Sequence, residues 1–458
     1  MSVPGYPGTG YVYEDAHAAE TETAPVLACD PRFVSLSFSG FPKSAAVRAA
    51  ANIPLAAMIQ PLATVEPELV PRAVNFGISG VIRCRACRAY VNCFVELKDQ
   101  STSWTCNLCG RNNELPNTYI KEIRDPSMMK YHPELTDPSF EIVAPPEYTV
   151  RAPQPPTYVF LIDVSSRAVQ SGFVNSICST IAQSLDFLPG KTRTNVCFVT
   201  FDSSVHVYSL KATNRSPHMF VLPDLKDPSV PLPSDLLVNL AESRPLVDRL
   251  LQTLPSIHAS SVDPEIAFGP ALEVAVLIAT RIGGKIISFL SGLPTLGIGS
   301  LKNRDDPRLL GTEKENTLLV AATDYYKKKA ESLTSIHISV DIFLAVDHYC
   351  DVATISEIAR YTGGQTFFYP GFHESSDFDR INNDLYRVLS RETSWEAVMR
   401  VRISRGAKIM DYYGNFFMRS HDLMAVPNCD ADKSFIVEFC NEDVPVPGSY
   451  VTIQCALL

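Results

Sequence analysis

The chain has 458 residues, of which 46% are apolar and 20% are charged, and its formal net charge is −10. This is an ordinary globular composition, and the length is enough for about two to four domains. The acidic balance excludes a protein that is built as a whole to bind nucleic acid, so any basic function must be local.

Residues 1–30 are predicted to form a disordered tail, because they are polar, rich in Gly and Pro at first, and then acidic. The first 25 residues contain no Lys or Arg and no apolar run, so they lack the features of a secretory signal. The most apolar helical stretch, residues 271–280, contains Glu273 and is far shorter than the roughly 20 residues that span a membrane. We therefore expect a protein of the cytosol.

Residues 31–80 are predicted to supply the first strand or strands of a β-sandwich, followed by a connector. The stretch RFVSLSFSGFP (32–42) alternates apolar and polar residues, as a half-buried strand does. A short helix and an extended chain interrupted by proline follow in KSAAVRAAANIPLAAMIQPLA (43–63).

Residues 81–116 are predicted to form a zinc ribbon. Two C-x2-C pairs, Cys84 with Cys87 and Cys106 with Cys109, are separated by eighteen residues, which is the spacing of a four-cysteine zinc site. A redox dithiol or a catalytic zinc is the weaker alternative, because four thiolates around one structural zinc ion leave no open position for water. The ribbon is small, so we expect the metal to supply its folding free energy, roughly 10–16 kcal/mol for such sites.

The other cysteines do not form a second pattern of this kind. A reducing cytosol disfavours disulfides, and most of the twelve cysteines lie in apolar strand or helix patterns that predict small core residues. Cys93 is a fifth thiol in the ribbon, and we interpret it as a packing residue because it has no partner at ligand spacing.

Residues 117–156 are loop-like and are predicted to be a linker, which ends in the Pro-rich stretch APPEYTVRAPQPP (144–156). From residue 157 to residue 392, strand patterns alternate with helical ones. TYVFLIDVS (157–165) is typical of a buried strand, and Phe173, Ile177 and Ile181 recur at helical spacing in the next segment. This alternation predicts a doubly wound, mostly parallel sheet.

The stretch DVSSR (163–167) resembles the D-x-S-x-S motif that holds Mg²⁺ at the end of the first strand in von Willebrand A-type domains. Asp163 and Ser165 fit the motif, but Arg167 stands where a second serine would be, and a guanidinium repels a divalent cation. The strand IISFL (286–290) also runs into SGLP rather than into an acidic ligand. We therefore expect Asp163 and Ser165 to cap the following loop and helix.

The chain contains no H-E-x-x-H, G-x-S-x-G or P-loop motif, so we predict that it is not an enzyme.

Three consecutive lysines occur in YYKKKAE (325–331). We interpret this stretch as a solvated helix face, with a role in contacting lipid or a partner as the alternative.

Residues 393–458 return to alternating patterns that predict an antiparallel β-sandwich, and the chain stops in the last of these strands. We expect this sandwich to be incomplete and the chain to be part of a longer protein. The predicted fold class is multidomain α+β: a zinc ribbon, a von Willebrand A-like α/β trunk with a mostly parallel sheet, and a discontinuous antiparallel β-sandwich.

This order of parts, with several local stretches, resembles the cargo-binding subunit of the COPII vesicle coat, within the inner-coat family. The stretches that carry the resemblance are IRCRACRAYVNCFV, WTCNLCGRNNELP, PSDLLVNLAES, FGPALEVA, ATDYYKKKA and WEAVMRVRISRG. With others they cover roughly residues 31–458. GNFFMRS and PSDLLVNL resemble the cargo subunit more than its GTPase-activating sister, which is the nearest alternative.

The resemblance implies a function without catalysis and without nucleic acid. Such proteins form a heterodimer with the sister inner-coat subunit through their trunks. The coat's small GTPase recruits them from the cytoplasm to endoplasmic reticulum exit sites, where they contact the endoplasmic reticulum and COPII vesicle membrane peripherally. They bind export signals on the cytosolic tails of membrane proteins and SNAREs. The family also has helical and gelsolin-like regions after the sandwich, which we expect beyond residue 458.

The resemblance also assigns a role to two arginines beside the first cysteine pair. Arg83 and Arg88 occupy positions that contribute to a pocket for acidic export signals in the family, so they are the candidate cargo-binding residues. A rigid metal-bound turn would hold both guanidiniums, and Arg binds carboxylates bidentately. Arg400, Arg402 and Arg405 of the sandwich are candidates to extend this basic face.

Two alternatives from other classes stay open on the sequence. One is a metal-dependent adhesion protein of the von Willebrand A type, against which Arg167 argues. The other is a zinc-ribbon nucleic-acid binder, which the local basic residues Arg83, Arg85 and Arg88 favour and the acidic net charge opposes.

Overall fold

The computed structural model describes residues 29–149, 151–230, 233–442 and 450–458. The predicted tail of residues 1–30 therefore lies outside the described residues, except for Cys29 and Asp30. No helix in the described ranges combines the length and the apolar character needed to cross a membrane.

The helices and strands fall into three consecutive parts of the chain. The first part contains β1 (Val34–Leu36), α1 (Ala45–Ala51), β2 (Ala56–Ile59), β3 (Arg72–Val74), β4 (Glu96–Lys98), β5 (Ser103–Thr105), β6 (Asn112–Glu114), α2 (Asn117–Arg124) and β7 (Phe140–Ile142). The middle part contains β8 (Thr157–Asp163), α3 (Ser166–Gln170), α4 (Phe173–Ser184), β9 (Asn195–Phe201), β10 (Val205–Ser209), β11 (His218–Leu222), α5 (Pro233–Leu236), β12 (Val238–Asn239), α6 (Leu240–Ile257), α7 (Phe268–Ala279), β13 (Gly284–Leu290), α8 (Tyr325–Ser335), β14 (Ile338–Val346), α9 (Val352–Tyr361), β15 (Thr366–Pro370) and α10 (Glu374–Ser390). The last part contains β16 (Thr393–Ile403), β17 (Ala407–Tyr413), β18 (Phe417–Ser420), β19 (Leu423–Asp430), β20 (Phe435–Asn441) and β21 (Ile453–Leu457).

The sandwich consists of two four-stranded antiparallel sheets, with strand orders β1-β2-β20-β17 and β18-β19-β16-β21. Alternate residues of the strands point into a shared core, as in the pairs Ala57 with Val437 and Ile59 with Phe435. Strands from the two ends of the described chain thus build one domain, and the predicted discontinuous antiparallel sandwich is confirmed.

The trunk is a mixed sheet of eight strands. Seven lie in the order β11-β10-β9-β8-β13-β14-β15, and β12 pairs with β9. The strands from β9 to β15 along this order are parallel, whereas β10, β11 and β12 are antiparallel to their neighbours. The predicted mostly parallel sheet is confirmed.

Two hydrophobic cores lie on opposite faces of the trunk sheet. On β8, Phe160 packs into the core that contains residues of α4, α6 and α10, whereas Val159 and Leu161 pack into the core that contains residues of α7, α8 and α9. Because helices cover both faces, every residue of β8 is buried, which explains its continuous apolar run.

The zinc domain extends further than the predicted ribbon of residues 81–116. Residues 117–156 are predicted to be a linker, but they contain α2 and β7, and β7 pairs in parallel with β3. Tyr119, Ile120 and Ile123 form one buried face of α2 and share a core with Trp104 of the ribbon. We therefore use "zinc domain" for residues 72–142. The ribbon therefore shares a hydrophobic core with the segment that follows it, and the contribution of the metal to its folding free energy stays a prediction.

A cluster of charged side chains is buried where the trunk meets the sandwich. We call it the buried ion cluster: Lys285, Asp341, Arg391, Asp430 and Lys433, each 6% exposed or less. Lys285 Nζ lies 2.8 Å from Asp341 Oδ2, and Arg391 Nη2 lies 2.7 Å from Asp430 Oδ2. Buried charges are tolerated only when they are paired. The first pair lies within the trunk, whereas the second joins the residue after α10 to β19 of the sandwich.

Candidate functional site

The four thiols of the two C-x2-C pairs converge in the zinc domain. Their sulfur atoms all lie within 4.8 Å of one another, and the Sγ–Sγ distance is 3.6 Å both for Cys84 with Cys109 and for Cys87 with Cys106. A tetrahedral zinc ion with Zn–S bonds of about 2.3 Å holds its sulfur ligands at nearly this separation. The residues present therefore fit one zinc ion with four thiolate ligands.

The two cysteine turns have the same backbone conformation. Arg88 N donates to Cys84 O at 3.0 Å, and Gly110 N donates to Cys106 O at 2.8 Å. Both donors have a left-handed backbone, with φ of +60° at Arg88 and +73° at Gly110. Glycine adopts this conformation freely, whereas a residue with a Cβ does so at a cost of about 1 kcal/mol or more. The first turn thus carries an arginine where backbone energetics favour glycine.

Local hydrogen bonds favour the metal-binding form of Cys84. Burial opposes its ionisation, but hydrogen bonds from the N–H groups of Cys87 and Ala86 and from the Asn113 side chain outweigh burial and lower the pKa of this thiol to about 7. The Asn113 amide nitrogen lies 3.5 Å from Cys84 Sγ. Since the thiolate is the form that binds metal, Asn113 supports the metal site from β6.

The sandwich contacts both cysteine turns. Arg402 Nε donates to Cys87 O at 3.1 Å, and Arg405 N donates to Leu108 O at 2.9 Å. Arg402 lies on β16, and Arg405 follows the end of this strand. These contacts bring the basic residues of the sandwich next to those of the zinc domain.

Arg83 is held by several groups of the zinc domain and its C-terminal extension. Its Nε donates to Arg88 O at 2.9 Å, and its Nη1 donates to Tyr148 Oη at 3.4 Å. Its guanidinium carbon lies 4.6 Å from the ring centroid of Tyr90 and 5.9 Å from that of Tyr148. Arg83 is therefore stacked between two tyrosines, and its Nη2 is the guanidinium nitrogen that makes no hydrogen bond to a described residue.

Four arginines lie around the first cysteine turn, and we call Arg83, Arg88, Arg400 and Arg402 the arginine cluster. Burial lowers the pKa of the Arg402 guanidinium, and the positive charges of Arg400 and Arg83 lower it further. The Arg88 side chain, on the same turn, is exposed and forms no hydrogen bond or ion pair with any described residue. Arg400 Nε lies 3.2 Å from Asp422 Oδ2. Among the described residues, Asp422 is the one carboxylate that forms an ion pair with a member of this cluster.

The sequence identified part of this cluster. It singled out Arg83 and Arg88, and Arg83 Nε donates to the backbone oxygen of Arg88 at 2.9 Å; it also offered Arg400, Arg402 and Arg405 as additions. The role of these residues in binding cargo stays a prediction. Arg400 and Arg402 are two apart on one strand and therefore share a face, which was the available signal. The Arg405 side chain is exposed, and its described contact with the zinc domain is made by its backbone. Tyr148 was missed, because it lies in the predicted linker.

At the carboxyl end of β8, hydrogen bonds within the chain hold the carboxylate of Asp163. Asp163 is fully buried, and its carboxylate accepts hydrogen bonds from Ser165 N and from both N and Oγ of Ser291 at 2.7–2.8 Å. Burial raises the pKa of Asp163. Arg167 contacts His348 beside this group. In the described part of the chain, the one group of three or more His, Cys, Asp or Glu with ligand spacing is the four cysteines.

The three consecutive lysines on α8 each lie near another residue of the trunk, but they differ in exposure. Lys329 pairs with Glu273, and Lys328 Nζ lies 3.8 Å from Asp324 Oδ2. Lys327 Nζ lies 5.2 Å from the ring centroid of Tyr361. Lys327 and Lys328 are nevertheless exposed and Lys329 is half-buried, so the first two lysines lie on a solvated helix face.

Comparisons with known proteins define the class to which this arrangement belongs. Family models match three segments: the Sec23/Sec24 zinc finger at residues 81–119, the Sec23/Sec24 trunk domain at 153–389, and the Sec23/Sec24 beta-sandwich domain at 394–458. The chain belongs to the Sec23/Sec24 family. The zinc-finger match and the four-cysteine geometry together confirm the prediction of one structural zinc ion.

Similar proteins indicate the Sec24 branch of this family, which confirms the predicted resemblance. The chain is 44% identical to protein transport protein SEC24 A of Arabidopsis thaliana and 37% identical to Sec24A of Homo sapiens, over 94% of its own length in both cases. It matches a crystal structure of the human COPII-coat protein Sec24c with a TM-score of 0.87 and 33% identity, over 94% of this chain and 59% of that chain. The chain spans 42% and 39% of the lengths of the Arabidopsis and human relatives.

Proposed function

We propose that this protein is a cargo-selecting adaptor of the COPII inner coat. It binds acidic export signals on the cytosolic tails of membrane proteins and SNAREs and acts in transport from the endoplasmic reticulum to the Golgi. It works by binding rather than by catalysis. The Sec24 relatives support the adaptor role over that of the GTPase-activating sister subunit.

The proposal includes the partners of such an adaptor. The trunk forms a heterodimer with the sister inner-coat subunit, and the coat's small GTPase brings the pair from the cytoplasm to endoplasmic reticulum exit sites. There the protein contacts the membrane peripherally. The match to a COPII-coat protein over 94% of the chain supports this assembly.

One observation carries the cargo-binding part of the proposal: arginines of the zinc domain and of the sandwich are brought to the same cysteine turn. Arg402 Nε donates to Cys87 O at 3.1 Å, and Arg83 Nε donates to Arg88 O at 2.9 Å on the same turn, although residues 83 and 402 come from different domains. Burial lowers the pKa of Arg402, and the charges of Arg400 and Arg83 lower it further. A fold that holds like charges together gains free energy when an anion binds between them. An acidic peptide is the anion that a membrane-protein tail offers, and Arg binds its carboxylates bidentately.

Charge reversal in the purified chain tests this proposal. Arg83→Glu and Arg88→Glu should each weaken binding of peptides that carry Asp or Glu by at least about tenfold, the loss of one charge-assisted hydrogen bond or more. Native mass spectrometry should find the same zinc content as in the parent chain. Arg85→Glu is the matched control, since Arg85 lies in the same turn but its Nη2 is 3.6 Å from Glu114 Oε2. Unchanged affinity in both Arg83→Glu and Arg88→Glu would refute the assignment.

A further inference from the structure

Tyr148 covers part of the arginine cluster, and its position has a consequence for how that cluster binds a carboxylate. The residue ends a short 3₁₀-helix, Pro146–Tyr148, which follows Pro145. This segment lies between the zinc domain and the trunk. The Tyr148 side chain is half-buried against the guanidinium of Arg83.

The hydrogen bonds of Arg83 leave it one way to bind a carboxylate bidentately. A guanidinium offers a side edge, formed by Nε and Nη2, and an end edge, formed by Nη1 and Nη2. Arg88 O occupies the Nε donor at 2.9 Å, so the side edge is closed. The end edge includes Nη1, which donates to Tyr148 Oη at 3.4 Å. Nη1 carries two N–H groups, so a carboxylate that binds both nitrogens of the end edge shares Nη1 with the Tyr148 hydroxyl.

We propose that Tyr148 is an internal gate of the arginine cluster. Its hydroxyl oxygen takes the place of one carboxylate oxygen on Arg83 and moves aside when an acidic peptide binds. The residue thereby sets the affinity and selectivity of this site for carboxylates. This inference rests on the proposed function, since it describes the regulation of the same site.

The contact between Arg83 and Tyr148 is loose enough to open when a ligand binds. The Nη1–Oη distance of 3.4 Å is at the long end for a hydrogen bond, and the ring of Tyr148 is farther from the guanidinium than that of Tyr90. Tyr90 is held by the sandwich through Gln454, so it fixes one face of Arg83. Pro145 and Pro146 restrict the backbone of the segment that carries Tyr148, so the contact opens by rotation of the Tyr148 side chain. The guanidinium thus has a fixed face and a releasable one.

Tyr148→Phe tests the gate, because it keeps the ring over Arg83 and removes the competing hydroxyl. The affinity for a peptide with Asp or Glu should rise about two- to tenfold, the effect of one neutral hydrogen bond. The affinity for the same peptide with Asn or Gln in place of the acids should not change. In an Arg83→Lys background the gain should vanish, because the two changes act on one contact. Tyr131→Phe is the control, since Tyr131 is an exposed tyrosine that contacts Lys130 instead.

The outcomes separate this inference from the proposed function. If Arg83→Glu and Arg88→Glu abolish binding but Tyr148→Phe leaves the affinity equal or lower, the gate is wrong and the adaptor site stands. If the gain from Tyr148→Phe persists in the Arg83→Lys background, the hydroxyl acts elsewhere and the gate is also wrong. If none of these changes alters binding, both the gate and the proposed site are refuted.

Discussion

Gln454 and Tyr90 are joined by two hydrogen bonds across 364 positions of sequence. Tyr90 N donates to Gln454 Oε1 at 2.8 Å, and Gln454 Nε2 donates to Tyr90 O at 3.0 Å. The side-chain amide thus pairs with the backbone of the zinc domain as a neighbouring strand would. Because Arg402 contacts Cys87 O beside this pair, the link helps to bring the arginines of the sandwich to the cysteine turn.

Gln454→Ala should loosen this link. It removes two partly buried hydrogen bonds, so we expect the free energy of unfolding to fall by about 1–3 kcal/mol in denaturant titration. The affinity for acidic peptides should fall as well, because Arg402 and Arg83 lose their common support. Gln454→Glu keeps one acceptor but adds negative charge beside the arginines, so it should weaken peptide binding further. Full affinity in both variants would contradict this role.

Arg88→Gly should separate stability from binding. Since φ at this position is +60°, glycine relieves backbone strain of about 1 kcal/mol, and the unfolding midpoint should stay equal or rise. Acidic peptides should nevertheless bind more weakly. Arg88→Ala removes the same charge and keeps the strain, so it is the matched comparison. A glycine variant that is less stable than the alanine variant would contradict the argument.

Removal of zinc should abolish peptide binding and leave most of the trunk folded. The trunk cores contain residues of β8 and its neighbours, whereas the thiols belong to the core of the zinc domain. Cys106→Ser or a strong chelator should release one zinc ion per chain by native mass spectrometry. Cys93→Ser is the control, because Cys93 is outside the four-thiol group. A chain that is free of metal yet binds acidic peptides normally would contradict the metal's role.

The trunk should lose stability in acid through His258. Burial, with a smaller effect from His206, lowers the pKa of His258 to about 4 in the folded chain, whereas an unfolded histidine titrates near pH 6.5. Between these values the unfolded chain binds more protons, so this contribution to stability is complete above about pH 6.5 and is lost as the pH falls towards 4. Burial lowers the pKa of His206 too, and Asp202 opposes both shifts.

The His258→Gln variant tests whether His258 causes this loss of stability in acid. Between pH 7 and pH 5, the unfolding free energy should fall less in this variant than in the parent chain. The difference between the two falls should be about 1–2 kcal/mol, which corresponds to the difference in pKa between folded and unfolded His258. His348→Gln is the control, because His348 follows β14 and lies beside Arg167 rather than in this group. Identical pH slopes for the parent and His258→Gln would assign the acid sensitivity to other groups.

The buried ion cluster should tolerate loss of one member poorly. Lys285→Met removes the ammonium group that lies 2.8 Å from the fully buried carboxylate of Asp341, and breaking a buried pair in this way should cost about 3–5 kcal/mol of unfolding free energy. Lys328→Met breaks an exposed pair with Asp324 and should cost less than about 1 kcal/mol. Urea titration of both variants gives the comparison. Equal losses would mean that burial does not set the strength of these pairs.

Much of the architecture was predictable because it depends on local patterns. The C-x2-C spacing identifies four zinc ligands, since a tight turn brings two thiols together whatever surrounds it. Phe173, Ile177 and Ile181 predict α4, and all three are buried in the trunk core. Helix α2 was not predicted, because it is short and rich in polar residues and its apolar face is recognised only once a core lies beside it.

The sequence by itself determined the metal ligands, the order of the domains and the buried faces of their strands and helices. All of these depend on spacings of a few residues, which backbone geometry converts directly into a shared turn or face. Only the tertiary structure decided that Arg400 and Arg402 meet Arg83 and that Tyr148 covers it. Contacts of this kind depend on how the domains pack against each other. The residues that determine this packing are hundreds of positions apart, so no local sequence pattern predicts it.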